Sequence, residues 1–116
     1  MKKSERETVR LMFGGRCAYC GCELGGRWHV DHIEPLLRGF RGRGGLDAIA
    51  NMYPACSECN LFKTTYSVEE FRRELSKKVY RARRYSRNFR MSEKYGLVKV
   101  TGADVVFYFE KSEVKS

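Results

Sequence analysis

The chain has 116 residues and a formal net charge of +9, from 23 Lys and Arg against 14 Asp and Glu. Its hydrophobic fraction of 42%, with seven Phe and seven Tyr, supports one modest core, which excludes a disordered chain and leaves no room for a second large domain. No apolar run approaches the roughly 20 residues of a membrane span, and residues 1–13 lack a signal-peptide core, so the expectation is an intracellular, cytoplasmic protein.

In chain order, Ser4 and Glu7 form a capping box, and Val9, Met12 and Phe13 share one face of the helix it opens. Gly14 and Gly15 stop that helix. A tight knuckle, Cys17-Ala18-Tyr19-Cys20-Gly21, comes next, and residues 28–33 alternate as a strand. Residues 35–47 hold four glycines and three arginines and read as a loop. A short strand over 52–55 leads into a second knuckle, Cys56-Ser57-Glu58-Cys59, which opens a helix through residues 60–64. Ser67 and Glu70 form a second capping box, and Phe71, Leu75, Val79 and Ala82 support one helix over about 68–84. Two alternating runs, 97–100 and 105–109, separated by Thr101-Gly102-Ala103-Asp104, read as a C-terminal β-hairpin. There is no repeat, and the whole chain, 1–116, reads as a single domain.

The positive charge is clustered. Lys77, Lys78, Arg81, Arg83, Arg84, Arg87 and Arg90 follow one another without an intervening acid, and the Gly-rich loop adds Arg38, Arg41 and Arg43. Clustering of this kind is the footprint of a polyanion binder, although a solvated basic helix face has the same composition.

Cys17, Cys20, Cys56 and Cys59 form two CxxC pairs. Two intervening residues let both sulfurs converge on one ion, and four thiolates make a closed tetrahedral site for structural Zn2+. An iron centre with the same four ligands, and with it a redox role, remains an alternative on sequence. Cys22 is a spare thiol.

Between and just after the knuckles lie His29, Asp31, His32, Asn51 and Asn60. Phosphodiester hydrolysis needs a base for water, a cation on the phosphate oxygens and groups that position both. An imidazole supplies the first, and a carboxylate with an amide oxygen suits a hard cation such as Mg2+. Asp31, His32 and Asn60 are the residue types for those tasks, though each alone has an ordinary structural use.

The ordered pattern CAYCG, HVDHIEPL, a Gly-rich loop and NMYPACSECNLFK resembles the HNH (ββα-metal) endonucleases, in the subgroup built around a four-cysteine zinc. The resemblance spans about residues 10–66 and implies an α+β fold. It would comprise a small ββα-metal core stapled by the zinc, with an N-terminal helix before it and a basic helix and β-hairpin over about 67–112. It further implies His32 as general base, Asp31 and Asn60 as ligands of a catalytic divalent cation (Mg2+, or Mn2+ or Ni2+), and Asn51 as the residue that orders the loop and orients the histidine. By the same resemblance Pro35 turns the chain after the histidine, and Lys63 is a phosphate-contacting or transition-state cation. His29 has no family role and is structural or touches DNA.

The implied activity is metal-dependent cleavage of DNA, by nicking or double-strand scission. The implied partner is double-stranded DNA, held by Arg38, Arg41, Arg43, Lys77, Lys78, Arg81, Arg83, Arg84 and Arg87, with Tyr80, Tyr85 and Phe89 available to stack. Two other readings fit the residues: a non-catalytic zinc module that binds DNA or RNA, and a nuclease acting on RNA or on branched or single-stranded DNA. A monomer and a homodimer are both compatible with the chain, as is a phage or mobile-element setting.

Overall fold

The computed structural model describes residues 1–36 and 46–113. Arg38, Arg41 and Arg43 therefore lie outside the described residues. The chain divides into two compact units, one drawn from Met1–Val68 with the segment from Val106 onward, the other from Glu69–Val105.

The first unit has the expected mixed α+β content. Helix α1 (Lys3–Arg10) runs into a 3-10 turn (Leu11–Phe13) that ends at Gly14 in the left-handed region, φ 63°. Ser4 does not cap it. The helix starts at Lys3 with no side-chain cap, so Ser4 lies inside it and its carbonyl accepts from Thr8 Oγ1. Glu7, the other half of the expected box, is drawn to Arg10 instead at 2.7 Å.

Strands β1 (His29–His32) and β2 (Met52–Ala55) pair antiparallel, in the register His29–Ala55, Val30–Pro54, Asp31–Tyr53 and His32–Met52. Helix α2 (Ser57–Lys63) follows β2 directly, with Cys56 as its N-cap accepting from the Cys59 amide. This is the strand–strand–helix order that the motifs imply.

The core is small. Val9, Trp28 and Met52 are buried together, with Leu24, Val30 and Ile49 against them. The Arg6 guanidinium covers the Trp28 ring at 3.9 Å and donates to the Trp28 carbonyl. A second cluster is aromatic: Tyr19, Tyr53, Phe107 and Phe109 meet edge-on or tilted at 5.0–6.2 Å.

Those phenylalanines correct the expected C-terminal hairpin. Among the described residues 97–106 form no strand, and Tyr108–Glu113 is a short helix, α6 by chain order. The alternation of Val105 to Phe109 has another cause. Its amides go to the first knuckle rather than to a partner strand, Tyr108 N to Tyr19 O and Phe109 N to Ala18 O, while Phe107 N is taken by the Glu110 carboxylate. Gly21 is required where this segment crosses: its φ is 80°, and a Cβ there would come 2.7 Å from the Tyr108 ring.

The second unit is helical. The single basic helix expected over 68–84 is instead α3 (Val68–Ser76) and α4 (Lys78–Tyr85), and α5 (Arg87–Lys94) follows. Ser76 Oγ bonds back to the Arg73 carbonyl, and Lys77 N reaches Glu74 O in a tighter turn, which ends the α-helical ladder. Ser86 makes the second break by capping α5 through Phe89 N.

Candidate metal centre and active site

The two knuckles bring Cys17, Cys20, Cys56 and Cys59 together, with all four sulfurs within 4.8 Å of one another. The Cys20 and Cys56 sulfurs are 3.8 Å apart, the edge length of a tetrahedron whose metal–sulfur bonds are about 2.3 Å. A hydrogen bond from Cys59 holds the Cys17 thiol down at about 4, and that same contact raises Cys59. The cluster thus presents thiolate character at its buried member, as a soft metal requires. Cys22 stands outside the quartet.

Next to this centre, β1 ends at His32 and the chain bends. Asp31 and His32, consecutive in the strand, have different side-chain partners, Tyr19 and Lys63 for the first and Asp47 for the second. Asp31, His32 and Asn60 all border one cavity of about 210 Å3, whose wall also includes Val30, Pro35, Leu36, Thr64 and Thr65. Asn60 reaches it from the middle of α2.

Asp31 is buried and its carboxylate is already engaged. Tyr19 donates to Oδ2 at 2.5 Å, and Lys63 Nζ lies 3.1 Å from Oδ2 and 3.4 Å from Oδ1. Burial pushes the Asp31 carboxyl up, against the pull of Tyr19 and Lys63. Lys63, expected on the surface as a phosphate contact, has 0% of its side chain exposed and donates also to the His32 carbonyl at 3.0 Å. It ties α2 to the end of β1.

The His32 ring is partly exposed, and its Nε2 is 2.9 Å from Asp47 Oδ1. Asn51 clasps the chain on either side: Nδ2 donates to the carbonyls of Glu34 and Leu46, and Oδ1 accepts from Glu34 N, all at 2.9 Å. His29 is exposed at the start of β1, away from this cluster of contacts.

Residues 17–65 match the family model described as HNH endonuclease. The chain carries an HNH endonuclease domain. No curated protein and no solved structure matches it. The HNH stretch runs from the first zinc-type cysteine to just beyond α2, so it encloses both knuckles, both strands and the cavity. Its family consists of nucleases acting on nucleic acid. Among the described residues no helix is long and apolar enough to cross a membrane.

Outside the HNH domain, the basic residues of the second unit divide into two groups. Lys77 and Arg81 pair with Glu74, and Arg83 pairs with Glu93 at 2.6 Å. Lys78 and Arg87 are exposed, and Arg84 lies over the exposed Tyr85 ring at 5.6 Å.

Sequence reasoning passed over two residues of the HNH site. Tyr19 was a spacer inside a CxxC, and Asp47 was the last residue of a Gly-rich loop. Only a three-dimensional partner gives either one a role.

Proposed function

We propose that the protein is a metal-dependent endonuclease that hydrolyses DNA phosphodiesters. The observation that carries this reading is the meeting of Asp31, His32 and Asn60, 29 residues apart in sequence, on one cavity inside the HNH stretch. A carboxylate, an amide oxygen and space for several waters of about 30 Å3 each form a donor set suited to a hard dication. Asp31 and Asn60 would hold such an ion, which when bound supplies positive charge for the phosphate oxygens.

The chain's own residues do the rest. His32 takes a proton from water through a ring nitrogen, and the hydroxide attacks phosphorus as the sugar oxygen leaves. Lys63 and Tyr19 fix the Asp31 carboxylate, and Asn51 fixes the bend after His32. The four cysteines would hold Zn2+ as a closed structural site, since all four positions are filled by sulfur and none is left for substrate. Duplex DNA would be gripped by Lys78, Arg84 and Arg87, which are exposed, and by the loop arginines 38, 41 and 43.

A plasmid nicking assay with Mg2+, Mn2+ and Ni2+ tests the reading. His32→Ala should lower the rate at least about 100-fold, the scale of general-base catalysis, while the protein stays folded and metal-loaded. Cleavage unaffected by His32→Ala would overturn it. A wild type inert with all three ions would favour a non-catalytic nucleic-acid-binding module.

A further inference from the structure

The side chain of Asp47 is 70% exposed, yet its Oδ1 sits 2.9 Å from His32 Nε2. An ionised carboxylate can only accept, so a neutral imidazole in this contact carries its proton on Nε2 and leaves the Nδ1 lone pair free. The carboxylate of Asp31, next to His32 in sequence, has Tyr19 and Lys63 as its partners instead.

What brings Asp47 to the ring is the Asn51 side chain. Its amide binds Glu34 at both backbone atoms and Leu46 at the carbonyl, closing the chain between those residues. Leu46 directly precedes Asp47, so the clasp fixes where the carboxylate starts. Among the described residues the Asn51 side chain bonds to Glu34 and Leu46, so its route to His32 runs through the neighbours it anchors.

We propose that Asp47 is a positioning residue for His32, holding the ring as the Nε2–H tautomer with Nδ1 turned to water, and that Asn51 acts on His32 through Asp47. The proposal rests on the reading of His32 as the base.

The test uses the full metal-loaded chain with 15N-labelled histidine. In wild type the two His32 nitrogens should show the limiting shifts of a single Nε2–H tautomer. Asp47→Ala should draw the two shifts toward each other, and Asp47→Glu should restore part of the separation. In the nicking assay Asp47→Ala should lower kcat about ten- to a hundred-fold with KM for duplex unchanged, the usual scale for a residue that orients a site histidine. Asn51→Ala and Asp47→Ala together should cost less than the sum of the two, because the Leu46 arm of the Asn51 clasp shares the Asp47 line of support while the Glu34 arm does not.

Unchanged nitrogen shifts or an unchanged kcat in Asp47→Ala would overturn the proposal, and so would full additivity of the two substitutions. The shifts need no cleavage. A chain that cleaves nothing would refute the nuclease reading alone, while the shifts still decide the part played by Asp47.

Discussion

Replacing Lys63 with Met separates two tasks for its ammonium, contact with a phosphate and compensation of a buried carboxylate. The pair is nearly dry: Lys63 is 0% and Asp31 5% exposed, at 3.1 Å. Met preserves most of the stem volume, so little of the effect is a cavity. What remains is an uncompensated Asp31, and removing one partner of a buried pair costs about 3–5 kcal/mol. Tyr19 still donates to the carboxylate, which puts the expectation near the lower end, about 3 kcal/mol. With a urea slope of about 1–3 kcal/mol/M, the unfolding midpoint should fall by at least about 1 M at an unchanged slope. The measurement is far-UV circular dichroism with the cysteine quartet loaded equally and no Mg2+ or other hard cation added, since an ion on Asp31 would itself compensate the charge. Adding Asp31→Asn should recover part of the loss, because a neutral amide replaces the stranded charge. A midpoint within about 0.3 M of wild type, combined with weakened duplex binding, would refute the reasoning and return Lys63 to the phosphate.

Three further outcomes concern the staple and the basic unit. Cys20→Ser should lower metal affinity and unfold the HNH stretch when a chelator is present, because binding to such a quartet is coupled to folding; an equally cooperative melt without metal would contradict this. Arg84→Gln should reduce the salt dependence of DNA binding by about one phosphate contact. Tyr85→Ala should weaken binding to an unpaired strand about fivefold or more with the salt slope unchanged; equal effects on duplex and single strand would argue against stacking.

The HNH site was legible in the sequence wherever a residue type and its spacing together demand one chemistry. Two CxxC pairs can do few things in a small chain, and the motif around Asp31 and His32 fixed which strand end to watch. The 52–55 strand was found to the residue because alternation, the second knuckle and a following helix all bounded it. Tertiary partners decided the rest. Val105 to Phe109 has the period of a strand, but Phe107 and Phe109 alternate because their rings stack on each other and both meet the edge of Tyr19, while the Glu110 carboxylate accepts from Phe107 N. Ser4 and Ser76 are the same residue type with opposite misreadings: one was expected to start a helix it lies within, the other ends a helix expected to continue. Lys63 was read from the family resemblance as a phosphate-contacting or transition-state cation; its burial is tolerable because Asp31 and the His32 carbonyl stand beside it.

The contacts around β1 explain how so small a core can orient a site. Val9, Trp28 and Met52 bury too little surface to fix the orientation of His32 and Asn60 by packing alone. The orientation comes instead from ties that each span a different pair of elements. The cysteine quartet joins the first knuckle to the start of α2, Lys63 joins the end of α2 to the end of β1, and Asn51 joins the residues after β1 to those before β2. All three converge within two residues of Asp31 and His32 or on the helix that carries Asn60. Polar ties of this kind are directional, so they set angles that apolar contacts leave free. Their weakness is that each fails completely when one atom is lost. The functional cost of Cys20→Ser, Lys63→Met or Asn51→Ala should therefore exceed that of deleting a methylene from Val9 or Ile49, even at equal loss of stability.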